Sequence, residues 1–262
     1  MNDLLTNWSK QEPLLERAFD AGAAAHVADV LGRLRGVVEH GVEEVDGYET
    51  EVADVVDDVR AHTPWFEAYA LVHDAAWPDA LHDKKLHAPE FEALVKRVGL
   101  SVGEDELGIA ALHALAVRHL DVRHDFSRVD ATRIPVYHAV AKHIGWDEDA
   151  FLIRLHGVLL IDTPTETFER ALASLDAYDP GRRARRAKLR AQIDKQRRNE
   201  KMRSVGLDGD SLLLLLKKRP SPAFGKLLLE IQDAVAANQL LPVFDQETDH
   251  ELARRAALYH RL

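Results

Sequence analysis

Apolar residues return every three or four positions along most of this chain. Leu14, Leu15, Ala18 and Phe19 open one stripe, which resumes beyond the small residues at 21–24 as Val27, Val30, Leu31, Leu34, Val37 and Val38. Val52, Val55, Val56 and Val59 form a second. That spacing gathers apolar side chains on one face of an α-helix. No stretch alternates apolar and polar residues long enough for a sheet, β-branched runs are rare, and Ala, Leu, Glu, Asp and Arg abound, so the pattern predicts an all-α fold. Thr63-Pro64 reads as a helix start, with Thr63 as the cap and Pro64 in the first turn. Further helices are expected over 65–76, 89–98, 105–119, 136–144, 147–161, 164–177, 181–203, 208–218 and 222–238, with a polar loop at 124–135. For the last of these, Ser221 is the expected cap, Gly225 the point of close helix approach, and Leu227, Leu228, Ile231 and Val235 the apolar face. The turn Asp179-Pro180-Gly181 is the best boundary. It suggests an N-terminal helical extension over 1–44, a helical domain over 45–178 and a C-terminal helical segment over 179–262.

Composition narrows the classes. With no Cys, a disulfide scaffold and a thiolate metal site are excluded. With 46% hydrophobic and 30% charged residues among 262, wholesale disorder is excluded too. The longest apolar run, 212–216, is far short of the ~20 residues that span a bilayer. The start lacks a cationic stretch followed by an apolar core, so no signal peptide is expected. These features imply a soluble, cytoplasmic protein without a membrane partner. The net charge of −10 hides a segregation: residues 182–203 carry eleven Lys/Arg against Asp194 and Glu200, a local +9, which leaves −19 on the rest. A cationic stripe of this kind attracts polyanions although the whole molecule is acidic.

Fourteen His is a high number, and most are surface or satisfied core residues. Leu71-Val72-His73-Asp74 stands apart, because adjacent His and Asp at a helix end can turn toward one cation. Imidazole with carboxylate suits a hard or borderline divalent metal such as Mn, Mg, Ni or Fe, and a His and an Asp from distant helices would complete the shell. A second polar cluster is suggested where His113, His119 and His124 lie near Asp121 and Asp125, with His119 and Arg123 one helical turn apart.

The string WFEAYALVHD at 65–74 resembles the helix that carries the paired His-Asp of HD-superfamily phosphohydrolases. The order downstream resembles something narrower, the helical half of class II tRNA nucleotidyltransferases, the bacterial CCA-adding enzymes with poly(A) polymerases as relatives. His87 opens LHAPEFEALVKRVGLSVGEDELGIAALHALAVRH, similar to the family segment that closes in a His, here His119. FLIRLHGVLLIDT at 151–163 is similar to the helix ending in an Ala-Asp pair, with Asp162 at the Asp position and Ile161 where Ala is usual. GLDGDSLLLLLKKRPSPAFGKLLLEIQDAVAANQL at 206–240 resembles the C-terminal segment of that family. The likeness covers roughly residues 48–240 and implies an HD-like helical core over 45–178. It also implies His73, Asp74 and Asp162 as metal ligands, with His40 or Glu49 as the fourth, because Glu49 and Thr50 stand at the shorter family spacing and His40 at the longer. His87, His113 and His119 are then candidates for phosphate contacts or a second cation. The sequence departs from the family in two ways: the nucleotidyltransferase head with its Gly-Ser and Asp-x-Asp is absent, and Ala75-Ala76-Trp77 follows the dyad where active members often carry Lys.

Three functions remain in view. The first is a headless relative of the tRNA nucleotidyltransferase body that binds structured RNA such as tRNA, alone or beside a separate catalytic protein, without adding nucleotides itself. Its contacts would come from Arg182, Arg183, Arg185, Arg186, Lys188, Arg190, Lys195, Arg197, Arg198, Lys201 and Arg203, which suit backbone and shape recognition. With only 6% aromatics, base stacking is not the expected mode. The second is a metal-dependent HD-type phosphohydrolase acting on a nucleotide or cyclic phosphate. The third is a helical interaction protein whose sites have decayed.

Overall fold

The computed structural model describes residues 12–42, 45–76, 88–204 and 219–236, with residue 213. Among the described residues every regular element is helical, so the protein is all-α. We number the α-helices α1 (Pro13–Ala18), α2 (Ala24–His40), α3 (Glu49–Ala61), α4 (Thr63–Val72), α5 (Ala88–Ser101) and α6 (Glu106–Val117). Then come α7 (His119–Asp125), α8 (Ile134–Ile144), α9 (Glu148–Asp162), α10 (Thr165–Tyr178), α11 (Arg182–Ser204) and α12 (Pro222–Ala236). The expected helix at 208–218 falls almost wholly outside the described residues. None of the described helices is long and apolar enough to cross a membrane.

Residues 1–184 form one compact unit and residues 185–262 another. In the first, α4 and α9 are the central helices. Both are apolar all round rather than amphipathic: Trp65, Phe66, Ala68, Tyr69, Ala70, Leu71 and Val72 are buried on α4, and Phe151, Leu152, Leu155, Val158, Leu159 and Ile161 on α9. A helix without a polar face must be enclosed by others. α2, α3, α8 and α10 pack on α9, while α2, α5 and α6 pack on α4. Gly157 allows a close approach between α9 and α4, since a Cβ there would lie 2.6 Å from the Phe66 ring. The stripes of α2 and α3 fill in the remaining sides with Val27, Val30, Leu31, Leu34, Val52, Val55 and Val59. The N-terminal helices, read from sequence as an extension over 1–44, are thus built into the core. Their direction is set at Gly22, whose φ of +100° bends the chain between α1 and α2.

Several local expectations change. Thr63 does not cap α4: its hydroxyl donates backward to the carbonyls of Val59 and Arg60, and His62 occupies the cap position. The helix expected over 105–119 divides at Arg118, whose ψ of 5° turns the chain so that α7 starts at His119. α7 therefore occupies the start of what was read as a loop. In the second unit, Ser221 does cap α12, accepting from the Phe224 N–H at 3.1 Å. A Cβ added at Gly225 would meet nothing within 4 Å among the described residues, so no close approach to them depends on this glycine. Met202 of α11 is buried, as are Phe224, Ile231 and Val235 of α12, and the Gln232 amide donates to the Asn199 side chain at 3.0 Å.

Candidate metal centre

Along α4, Trp65, Tyr69 and His73 fall one turn apart and stack as a column, with ring planes 8° and 14° from parallel. The column ends at His73, which has no exposed surface. From there the chain tightens into a 3₁₀ turn over His73–Ala76 that carries Asp74. His73 Nδ1 lies 3.1 Å from the Tyr69 carbonyl and 3.0 Å from that of Ala70. Carbonyls only accept, so Nδ1 carries a proton and Nε2 is the nitrogen turned toward the cluster, where a lone pair stands whenever that nitrogen carries no proton. That Nε2 is buried with no hydrogen-bond partner, 3.5 Å from Asp74 Oδ2 and 3.6 Å from Asp162 Oδ1. With Nε2 unprotonated, an acceptor faces two carboxylates in the core.

His119 repeats the arrangement. Its Nδ1 lies 3.1 Å from the Ala116 carbonyl and its Nε2 lies 3.6 Å from Asp74 Oδ1. Burial, and then the neighbouring His73, hold its pKa down at about 4, so the ring is neutral at neutral pH. The break at Arg118 is what aims this side chain inward.

Asp162, at the end of α9, closes the other side. Its pKa is lowered to about 2 although burial opposes this, because His26, His73 and Arg123 surround it. Oδ2 accepts from the Tyr69 hydroxyl at 3.3 Å. Oδ1 meets His26 Nε2 at 3.0 Å and Arg123 Nη2 at 2.7 Å. Arg123 Nη2 also reaches the Asp162 carbonyl at 2.8 Å and His26 Nε2 at 2.9 Å. One ring nitrogen cannot both donate to Asp162 and accept from Arg123, so these His26 contacts are alternatives that depend on its protonation. The bond to Asp162 raises the His26 pKa above its ordinary value. The side chains of His26 and Arg123 are about one-third exposed, at 33% and 34%, while Asp162 is at 1%, so this flank is the mouth of the cluster.

Among the described residues His26, His73 and Asp162 each offer one ligand atom, all within 4.8 Å of one another, and could hold a metal ion. The chemistry of the set fits a divalent cation: two imidazoles and two carboxylates, counting Asp74, are the donors such ions take. The orphaned His73 Nε2 is the observation that makes the fit specific.

The expected triad of His73, Asp74 and Asp162 is therefore brought together, although it comes from distant helices. Neither His40 nor Glu49, the residues expected as fourth ligand, lies in this cluster. His40 sits at the far end of α2, 80% exposed beside Glu39, and Glu49 accepts the Gly47 N–H at 2.9 Å in the first turn of α3. His26 lies in the cluster instead, fourteen residues before His40 and so about 21 Å up the same helix at 1.5 Å per residue. A signal for it existed, since His26 continues the Val30–Leu34 line of the apolar stripe by one turn. The cluster expected around His113 and His119 also divides. His119 and Arg123 join the dyad, whereas His113 packs its ring 5.7 Å from Phe91, with its pKa lowered by burial. Asp125 accepts from Tyr137 at 3.0 Å and pairs with Arg133 at 3.3 Å. His87 lies outside the described residues.

The basic residues of α11 do not act as one array. Arg182 is buried and binds Asp149; Arg183 pairs with Asp176 at 3.2 Å, donates to the Gly47 carbonyl and lies over the Tyr48 ring. Arg190 pairs with Asp194 at 3.5 Å and Arg198 with Asp233 at 3.9 Å. Arg185, Lys188, Lys195, Arg197, Lys201 and Arg203 are exposed, and Arg186 is half-buried. No protein-family model, curated protein or solved structure matches this chain.

Proposed function

We propose that this protein is a divalent-metal-dependent phosphohydrolase of the HD type, with His26, His73, Asp74 and Asp162 as ligands. The observation that carries the reading is the buried Nε2 of His73, which has no hydrogen-bond partner and faces two carboxylates. An unpaired buried polar group costs about 1–3 kcal/mol, and a cation bound to His73 Nε2 removes that cost. When bound, such a cation polarises a phosphoryl oxygen and lowers the pKa of a water so that it can attack. The chain supplies the rest. The carbonyls of Tyr69 and Ala70 fix the His73 tautomer, the Ala116 carbonyl does the same for His119, and the Tyr69 hydroxyl orients Asp162 so that Oδ1 points inward. A phosphoester enters beside His26 and Arg123, the exposed flank.

Elemental analysis of untagged protein should give near-stoichiometric divalent metal, lost in Asp74→Ala. Hydrolysis of bis(4-nitrophenyl) phosphate should appear with added Mn or Ni. Protein that stays metal-free and inert under those conditions overturns the reading.

A second reading, association with structured RNA as a headless relative of the tRNA nucleotidyltransferase body, is favoured by the exposed cations of α11. Exposed cations neutralise phosphates and release counterions, so such binding falls steeply with salt. Charge reversal at Lys188, Lys195 and Arg203 should raise the gel-shift midpoint for tRNA at low salt; an unchanged midpoint removes this reading. The decayed-site alternative is what remains if both tests fail.

A further inference from the structure

We infer that Arg123 is a built-in counter-cation that competes with the divalent metal for the His26–Asp162 edge of the centre. The inference rests on the metal reading above. A single nitrogen, Nη2, lies 2.7 Å from Asp162 Oδ1, 2.8 Å from the Asp162 carbonyl and 2.9 Å from His26 Nε2. Nη2 carries two hydrogens, which the Oδ1 and carbonyl of Asp162 accept, and His26 Nε2 is a third acceptor in the tautomer that leaves it unprotonated. Two of the three are the atoms that a cation shared by His26 and Asp162 must use. In that tautomer the Arg123 N–H is aimed at the lone pair that would bind the metal, and in the other the Asp162 Oδ1 bond alone holds Arg123 in the cation's place.

A residue that merely supports a ligand grips a different atom. Tyr69 does this, donating to Asp162 Oδ2 and leaving Oδ1 for the cation. Arg123 grips Oδ1 itself. The guanidinium also has a way out, because its side chain is 34% exposed while the carboxylate beneath it is 1% exposed. Metal entry therefore exchanges one cation for another: the guanidinium swings toward solvent and His26 Nε2 and Asp162 Oδ1 are released to the ion. The device keeps the buried carboxylate compensated before metal arrives and lowers the affinity of the centre.

The two roles predict opposite signs. A supporting residue, when lost, weakens metal binding, by ~10–100-fold in typical cases. A competitor, when lost, tightens it. Titration of the metal-free full chain with Mn²⁺ by calorimetry should give a Kd about tenfold lower for Arg123→Met than for the wild type, the weight of one charge-assisted hydrogen bond. Arg123→Gln, neutral and of similar length, should tighten as well and carries the test should the Met variant fail to fold. Arg123→Lys should fall between Gln and wild type. Equal or weaker Mn²⁺ binding in the neutral variants overturns the inference and leaves the metal reading standing. No Mn²⁺ binding by wild type or variants overturns both.

Discussion

Two buried polar groups lie eight residues apart on α9, and they behave in opposite ways. Arg154, in the upper half of the helix, is sealed. Its Nε donates to Asp58 Oδ2 at 2.8 Å and its Nη2 to Oδ1 at 3.2 Å, and its guanidinium lies over the rings of Trp65, Phe66 and Trp146 at 4.6, 5.3 and 5.4 Å. At the C-terminal end Asp162 faces the lone pair of His73, which nothing satisfies. The same division marks α4, with Trp65 under Arg154 and His73 beside Asp162. A buried ion pair whose hydrogen bonds are complete serves the fold; a buried nitrogen left without a partner, as at His73, is the feature the metal reading proposed above would explain. The difference lies in whether donors and acceptors balance, and burial alone does not distinguish the two ends.

The comparison breaks most sharply at the sealed end. Asp58→Ala strands Arg154 in the core and should lower unfolding free energy by about 3–5 kcal/mol in urea titrations, while Mn²⁺ affinity of the folded fraction stays as in the wild type. Loss of metal binding together with stability would mean that the two ends are one network.

His156 lies between them on α9, fully buried, with its Nδ1–H donating to the Leu152 carbonyl. Burial, with a smaller contribution from Arg182, lowers its pKa to about 4 from an ordinary 6.5. The unfolded chain takes up a proton near the ordinary value while the folded chain refuses it down to about 4. Stability is therefore full above 6.5 and falls as pH drops from 6.5 toward 4, by an amount on the order of 3 kcal/mol. In His156→Leu the unfolding free energy should change less over that window; an unaltered slope assigns the acid sensitivity elsewhere.

At the open end, His26→Ala should weaken Mn²⁺ binding by roughly 100-fold or more, beyond the ~10–100-fold of residues that only support a ligand. Its melting temperature without metal should change little, because the side chain is one-third exposed and outside the apolar core. A large melting change with intact metal binding would make His26 a structural residue. The smallest effect belongs to His40→Ala and Glu49→Ala, for which calorimetry should give wild-type Mn²⁺ affinity; weakened binding in either would return the fourth ligand to its sequence-based position.

How much of this was legible beforehand varies by element. The stripes of α2 and α3 and the Ser221 cap of α12 were written in spacing and residue type, because helix periodicity and capping are local. The division at Arg118 was not, since no Gly or Pro marks it. His119 and Arg123 stand one turn apart in the sequence, which suggests a cluster of their own and does not show that they meet the dyad. For α11 the charge count was visible, while the partners Asp149, Asp176 and Asp233 that occupy part of it were not.

The sequence by itself determined that the chain is helical, which faces of its outer helices are apolar, and that His73-Asp74 ends a buried helix. Those properties depend on residues within a turn or two of one another. Tertiary structure alone decided that His26 rather than His40 meets the dyad, that Asp162 points Oδ1 at His73, and that Arg123 sits across both. Those outcomes depend on where α2, α7 and α9 cross α4, and crossing is set by the packing of side chains distant in sequence, such as Phe66 against Gly157.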